Sequence, residues 1–134
     1  MSMDIPAAEA VFAEIRAGKT TALAAARALA EAGVRSYRVD FLTSVMTLFG
    51  RDDDHHDIPF PRMSTEPVAQ AFSARGIEAA LMSMRGPDAQ HAAFPAKLMA
   101  AGCTQYVVYL NGRRAVYLGR DGDGHMIRMP GAQK

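Results

Sequence analysis

A repeat with a period of 69 residues constrains this chain more than any other feature of its sequence. Gly33 and Gly102 each close a helix-like stretch and lead into an alternating one, at a single offset (33 to 102). The same gapless offset matches Arg16 with Arg85, Tyr37 with Tyr106, Val39 with Val108 and Gly50 with Gly119. It continues through Arg51, Asp52, Asp54 and His56, which match Arg120, Asp121, Asp123 and His125. Self-similarity at one fixed period marks a supersecondary unit used twice. An isolated two-stranded hairpin is too small to be stable, so the two units are expected to share one core.

Each unit reads as two helices followed by a hairpin. "DIPAAEAVFAEIRAG" offers Asp4 as N-cap, Pro6 in the first turn and Gly18 as stop. "TTALAAARALAEAG" offers Thr20 or Thr21 as cap and ends at Gly33. The period then changes to two, with Tyr37, Val39 and Phe41 on one side of a strand and Arg38 and Asp40 on the other. A turn near Thr43 and Ser44 returns the chain, and a loop runs from Arg51 to Met63. In the second unit, "STEPVAQAFSARGIEAALMSMRG" is expected to be helical from a cap at Ser64 or Thr65, with a possible break at Gly76. A shorter helix begins near Pro95. "YVVYLNGRRAVYLG" carries Asn111-Gly112 between two alternating runs, the pattern of a two-residue type I′ hairpin.

The expected fold is therefore α+β. Two α-α-β-β repeats, at about 4–57 and 64–127, form one domain over residues 1–134, with an antiparallel sheet of hairpins packed on helices. Tyr37, Val39, Phe41, Met46 and Leu48 share the face expected to meet the helices, with Tyr106, Val108, Leu110, Ala115 and Tyr117 as counterparts. The opposite face carries Val107, Tyr109, Val116 and Leu118 in the second unit, too apolar for a face left in water. The other hairpin, a second subunit or a ligand is expected to cover it.

Composition narrows the class. Hydrophobic residues make up 49% of the chain and the formal net charge is +1, the balance of a soluble globule. That charge supplies no field to recruit nucleic acid, although Arg113, Arg114, Arg120 and Arg128 cluster in sequence with Tyr109 and Tyr117. The lone Cys103 excludes an internal disulfide framework, and Asp4 and Glu9 stand where a signal peptide wants basic residues. A cytoplasmic, membrane-free protein is the expectation.

"GRDDDHHD", Gly50 to Asp57, is the stretch richest in metal-ligating residue types. It is not a calcium loop, for it lacks both the central glycine and the closing glutamate. A divalent-metal site could still form if the repeat brought Asp54 and His56 together with Asp123 and His125. The competing reading is a pair of solvated turns. Gly18-Lys19-Thr20 lacks the first glycine of a phosphate-binding loop and reads as a helix stop followed by a cap. Cys103 aligns with Val34 and reads as a small buried apolar residue, and Arg38 with Asp40 reads as an ion pair on the sheet.

At "AGVRSYRVDF" and "AAGCTQYVVYLNGRRAVYLGRDG" the chain resembles the bacterial domain-of-unknown-function family 1398, sometimes labelled phage envelope protein. Gly33, Val34, Tyr37, Val39 and Asp40 carry the likeness, with Phe94, Ala101, Gly102, Tyr106, Val108, Tyr117 and Gly119. The resemblance implies no reaction and no catalytic residue, and the histidine-rich loop departs from the family's pattern. No assembled nucleophile, base and acid, and no cofactor motif, is visible in the sequence. The expected function is a non-enzymatic binding or regulatory module that self-associates through the Val107, Tyr109, Val116 and Leu118 face. The alternative is a metal-binding protein or metal-dependent hydrolase built on the paired Asp/His loops.

Overall fold

A computed structural model describes residues 3–85, 89 and 91–129. The described residues of the first unit form α1 (Ile5–Arg16), α2 (Ala22–Glu31), β1 (Val34–Asp40), β2 (Val45–Gly50) and β3 (His55–Pro59). Those of the second form α3 (Ala74–Met82), α4 (Phe94–Ala100) preceded by a 3-10 turn at His91–Ala93, β4 (Gln105–Tyr109), β5 (Arg114–Leu118) and β6 (Gly124–Arg128). All six strands join one antiparallel sheet in the order β3-β2-β1-β4-β5-β6. The fold is α+β, and the two units follow one another in the same element order.

The first helices form where capping chemistry directs. Asp4 accepts from the Ala7 N–H to start α1, and Thr21 accepts from the Ala24 N–H to start α2. Gly33 and Gly102 both take a left-handed φ, 89° and 85°, at the step from helix into strand. Leu29 and Leu98, 69 positions apart, are buried to 1% and 0% accessibility under the helical layer. The sheet face bearing Tyr37, Val39, Met46, Leu48, Val108 and Ala115 supplies much of the core against the helices, as the alternation predicts.

The units meet along β1 and β4 about a local twofold. Arg38 pairs directly with Val107, its own counterpart in the repeat, so the axis passes between them. Flanking bonds obey the same relation: Phe41 N–H donates to the Thr104 carbonyl at 2.9 Å, and Leu110 N–H donates to the Arg35 carbonyl at 3.0 Å. Positive φ recurs at Ser44 and Arg113 (58° and 53°) and at Asp53 and Gly122 (63° and 90°).

Three expectations are corrected. Each unit has a third strand, β3 and β6, where the sequence reading placed a loop or the chain's end. Both alternate between exposed and half-buried residues, as edge strands with one face covered should. The Asn111-Gly112 pair does not form a type I′ turn, because the positive φ falls on Arg113 and the connection spans residues 110–113. A two-residue turn would bond Leu110 and Arg113 to each other. Instead the Leu110 N–H is spent on Arg35 and the Arg113 carbonyl accepts from the Met129 N–H at 2.8 Å. Finally, α3 starts at Ala74 with Ser73 as its cap, not near Ser64. Ser73 is the counterpart of Asp4, and their N–H groups bind the equivalent carbonyls of Ala101 and Ala32 at 2.8 and 2.7 Å. Gly86, the expected end of that helix, lies outside the described residues.

Candidate functional site

The Asp/His loops are the β2–β3 and β5–β6 turns. Gly50 N–H donates to the Asp54 carbonyl at 2.9 Å, and Gly119 N–H donates to the Asp123 carbonyl at 2.8 Å. Asp54 also turns its carboxylate inward on the chain, accepting from the N–H groups of Met3 and Asp52 at 3.3 and 3.4 Å. His56 stands beside Leu48 at one edge of the sheet and His125 beside Tyr117 at the other. Five inter-strand spacings, roughly 24 Å, separate these edges. Asp54 and His56 therefore cannot share a metal ion with Asp123 and His125, and the paired-loop site is withdrawn. Among the described residues no three His, Cys, Asp or Glu side chains group as metal ligands. His125 instead places Nε2 2.9 Å from the Glu78 carboxylate, tying β6 to α3.

The open face is partitioned as the alternation predicts. Arg38 lies over the Phe49 ring, 5.8 Å from its centroid, and Asp40 accepts from the Leu42 and Thr43 N–H groups of its own hairpin loop. Arg38 and Asp40 thus face separate tasks instead of forming the expected ion pair. Val107, Val116 and Leu118 are half-buried, whereas Tyr109 and Met126 are 45% and 48% exposed on this face. Both hairpins lie in the same sheet, so neither covers the other.

A concavity lies on the helix side, between α2, α3 and the second half of the sheet. It has a volume of about 640 Å³, within the range of small-molecule sites. Comparison of the two units explains its position. Ala25 and Ala26 on α2 line it where α4 has Phe94 and Pro95, and Ala115 on β5 lines it where β2 has Met46. Small residues stand at the places where the other unit carries bulk, and the space between layers stays open.

Tyr37, Tyr106 and Tyr117 form the sheet side of this cavity. Tyr106 and Tyr117 stack with centroids 5.2 Å apart and planes at 29°, and Tyr37 meets Phe12 edge-on at 4.9 Å. Among the described residues no protein group hydrogen-bonds to any of these hydroxyls, yet no buried side-chain oxygen lacks a partner. The three hydroxyl oxygens must therefore touch accessible space, and the space beside them is the cavity. Tyr117 achieves this while only 3% exposed.

Burial sets the chemistry of these phenols. It raises Tyr37 to about 12, and it raises Tyr117 further, with help from Tyr37 and Cys103. Tyr106 is pushed well up by burial first, then by Tyr37, Tyr117 and Cys103. At neutral pH all three are uncharged and able to donate; none can act as a base. Cys103 is fully buried, its thiol raised to about 12 by burial despite a contact of 3.3 Å with the Gln105 carbonyl. That state suits packing and not nucleophilic attack. The charged groups that line the cavity, Glu78, Arg85 and Arg128, are all exposed and so belong to its mouth.

Sequence reasoning placed the tyrosines on the buried face but assigned them to packing. The usable signal was chemical: buried phenol oxygens normally find partners, while the α2 sequence opposite, "ALAAARALAE", offers almost none. No protein-family model matches the chain, and no curated protein matches it in sequence.

Proposed function

We propose that this chain is a non-enzymatic binding module whose small-molecule ligand occupies the cavity between α2, α3 and the β4–β6 half of the sheet. One observation carries the reading: three neutral phenol hydroxyls without protein partners border a largely apolar cavity. A ligand that displaces water from these hydroxyls without pairing them would lose about 1–3 kcal/mol for each, so the site selects a ligand that carries matching polar groups. The lining holds no histidine or cysteine among the described residues, and its carboxylate, Glu78, is exposed and paired with His125, which favours binding over turnover.

The repeat supplies the decisive variant. Ala115→Met restores the residue that the first unit uses at the same place, and it takes up part of the cavity beside the tyrosines with a flexible apolar side chain. The neutral fluorophore N-phenyl-1-naphthylamine should bind the native protein saturably at one per chain. Ala115→Met should weaken that binding measurably while leaving the helical circular dichroism intact. Native protein with no saturable uptake of the dye refutes the proposal.

A second reading concerns the other sheet face, where Tyr109 and Met126 stand exposed beside Val107, Val116 and Leu118. Self-association through this patch would remove apolar surface from water. Static light scattering should report a particle heavier than one chain, reduced to a monomer by Tyr109→Glu; a native monomer ends this reading. Kinship with domain-of-unknown-function family 1398 belongs to the same proposal and adds no activity to it.

A further inference from the structure

The polarity of the cavity restricts what it can hold. Its walls are mainly hydrocarbon, from residues such as Ala25, Ala26, Leu81, Ala115 and Ile127. An ionised group placed deep among them would lose its hydration, because the charged lining residues Glu78, Arg85 and Arg128 are exposed at the mouth. A pure hydrocarbon would fit the walls but would strip water from the tyrosine hydroxyls and leave them unpaired. Buried phenols are stronger donors than acceptors, and these three keep their protons throughout the neutral range. The stacking of Tyr106 on Tyr117 holds the two rings side by side.

We infer that the cavity takes an uncharged, mainly apolar molecule bearing a carbonyl oxygen, which accepts hydrogen bonds from the hydroxyls of the adjacent Tyr106 and Tyr117. This rests on the binding-module reading above and specifies its ligand class. A ketone, quinone or lactone satisfies the description; a molecule whose charge must sit among the hydrocarbon walls does not. The volume of about 640 Å³ accommodates a ring system of two or three fused rings with room for substituents.

Fluorene and 9-fluorenone differ by the replacement of one methylene with a carbonyl and so isolate the effect of the acceptor. Each is titrated against the native protein with N-phenyl-1-naphthylamine as the displaced reporter. Fluorenone should bind at least tenfold more tightly than fluorene, about what two neutral hydrogen bonds confer. Tyr106→Phe and Tyr117→Phe keep the rings and should bring the preference close to unity, chiefly by raising fluorene affinity, because no hydroxyl is then left unpaired beneath the hydrocarbon. Infrared spectra give a readout independent of affinity. The fluorenone carbonyl stretch should fall in wavenumber on binding native protein, and the fall should shrink in the Tyr→Phe variants. Equal affinity for the two compounds, or a carbonyl stretch indifferent to the tyrosines, overturns the ligand class and leaves the binding module standing. Failure of the dye and of both compounds to bind overturns both.

Discussion

Leu29 and Leu98 offer a controlled experiment, because the repeat places the same side chain at equivalent points in two different surroundings. Both are essentially inaccessible, at 1% and 0%. Truncation of either to alanine forfeits the transfer free energy of the lost carbons, about 2 kcal/mol. The second cost is the space left behind, which adds up to roughly 3 kcal/mol when a close-packed core cannot collapse. Leu29 already borders the 640 Å³ cavity, so its removal enlarges a space that exists and breaks contacts on fewer sides. Leu98 is fully buried and is not on the lining of that cavity, so its removal opens a separate space. Leu98→Ala should therefore cost about 4 kcal/mol and Leu29→Ala about 2.5 kcal/mol. With a slope near 2 kcal/mol per molar urea, the midpoints of the two variants should differ by roughly 0.7 M. Equilibrium urea unfolding followed by far-ultraviolet circular dichroism measures both. Equal losses, or a larger loss at Leu29, would show that the cavity is not a feature of the folded protein in solution.

Alkaline pH should unfold the protein in a particular window. The tyrosines at 37, 106 and 117 hold their protons above the ordinary phenol value near 10, so between pH 10 and 12 the unfolded chain binds fewer protons than the native one. Their stabilising contribution is complete below pH 10 and is lost as pH rises toward 12; tyrosinate absorbance that grows well before the loss of helical dichroism would contradict this. Gly102→Ala should be among the most damaging single changes, costing over about 3 kcal/mol, since φ is +85° and an added Cβ would run into the Ala71 carbonyl oxygen. A thermal midpoint within a few degrees of native would refute it. Asp40→Ala should cost about 1 kcal/mol by freeing the Leu42 and Thr43 N–H groups, and urea unfolding indistinguishable from native would deny Asp40 that capping role.

The legible parts of this structure were those written in local chemistry. Asp4, Thr21 and Pro95 marked helix starts because caps and fixed φ act within one turn. Tyr37, Val39 and Leu48 marked the buried face because alternation is a property of each strand alone. The β1–β4 junction that unites the sheet is not local, since it pairs residues about 69 apart and leaves no mark on either strand. The turn at Asn111-Gly112 misled for the same reason: Arg35 and Met129, far away in sequence, claim the groups that a tight turn would use. For β3 and β6, a signal existed and was passed over, because the 69-residue match extends from His56 and His125 to Ile58 and Ile127. The tyrosine site was the least readable, for it depends on what the facing helix lacks. An absence of partners becomes visible when the two layers are brought together.

Two like halves in one chain are free of an obligation that binds a homodimer. Where two identical subunits meet about a twofold, the position on the axis must face itself, and Arg38 would confront a second arginine instead of Val107. Every hollow on one side would likewise reappear on the other, so a dimer of identical halves could hold two ligands or none. Covalent duplication lifts both restrictions. The first half can carry Ala25 and Ala26 on α2 with Met46 on β2, and the second Phe94 and Pro95 on α4 with Ala115 on β5, so that a hollow between α2 and the second half's strands needs no twin. Occupancy then has a single stoichiometry and no partner site to cooperate with, so binding should follow a simple hyperbola.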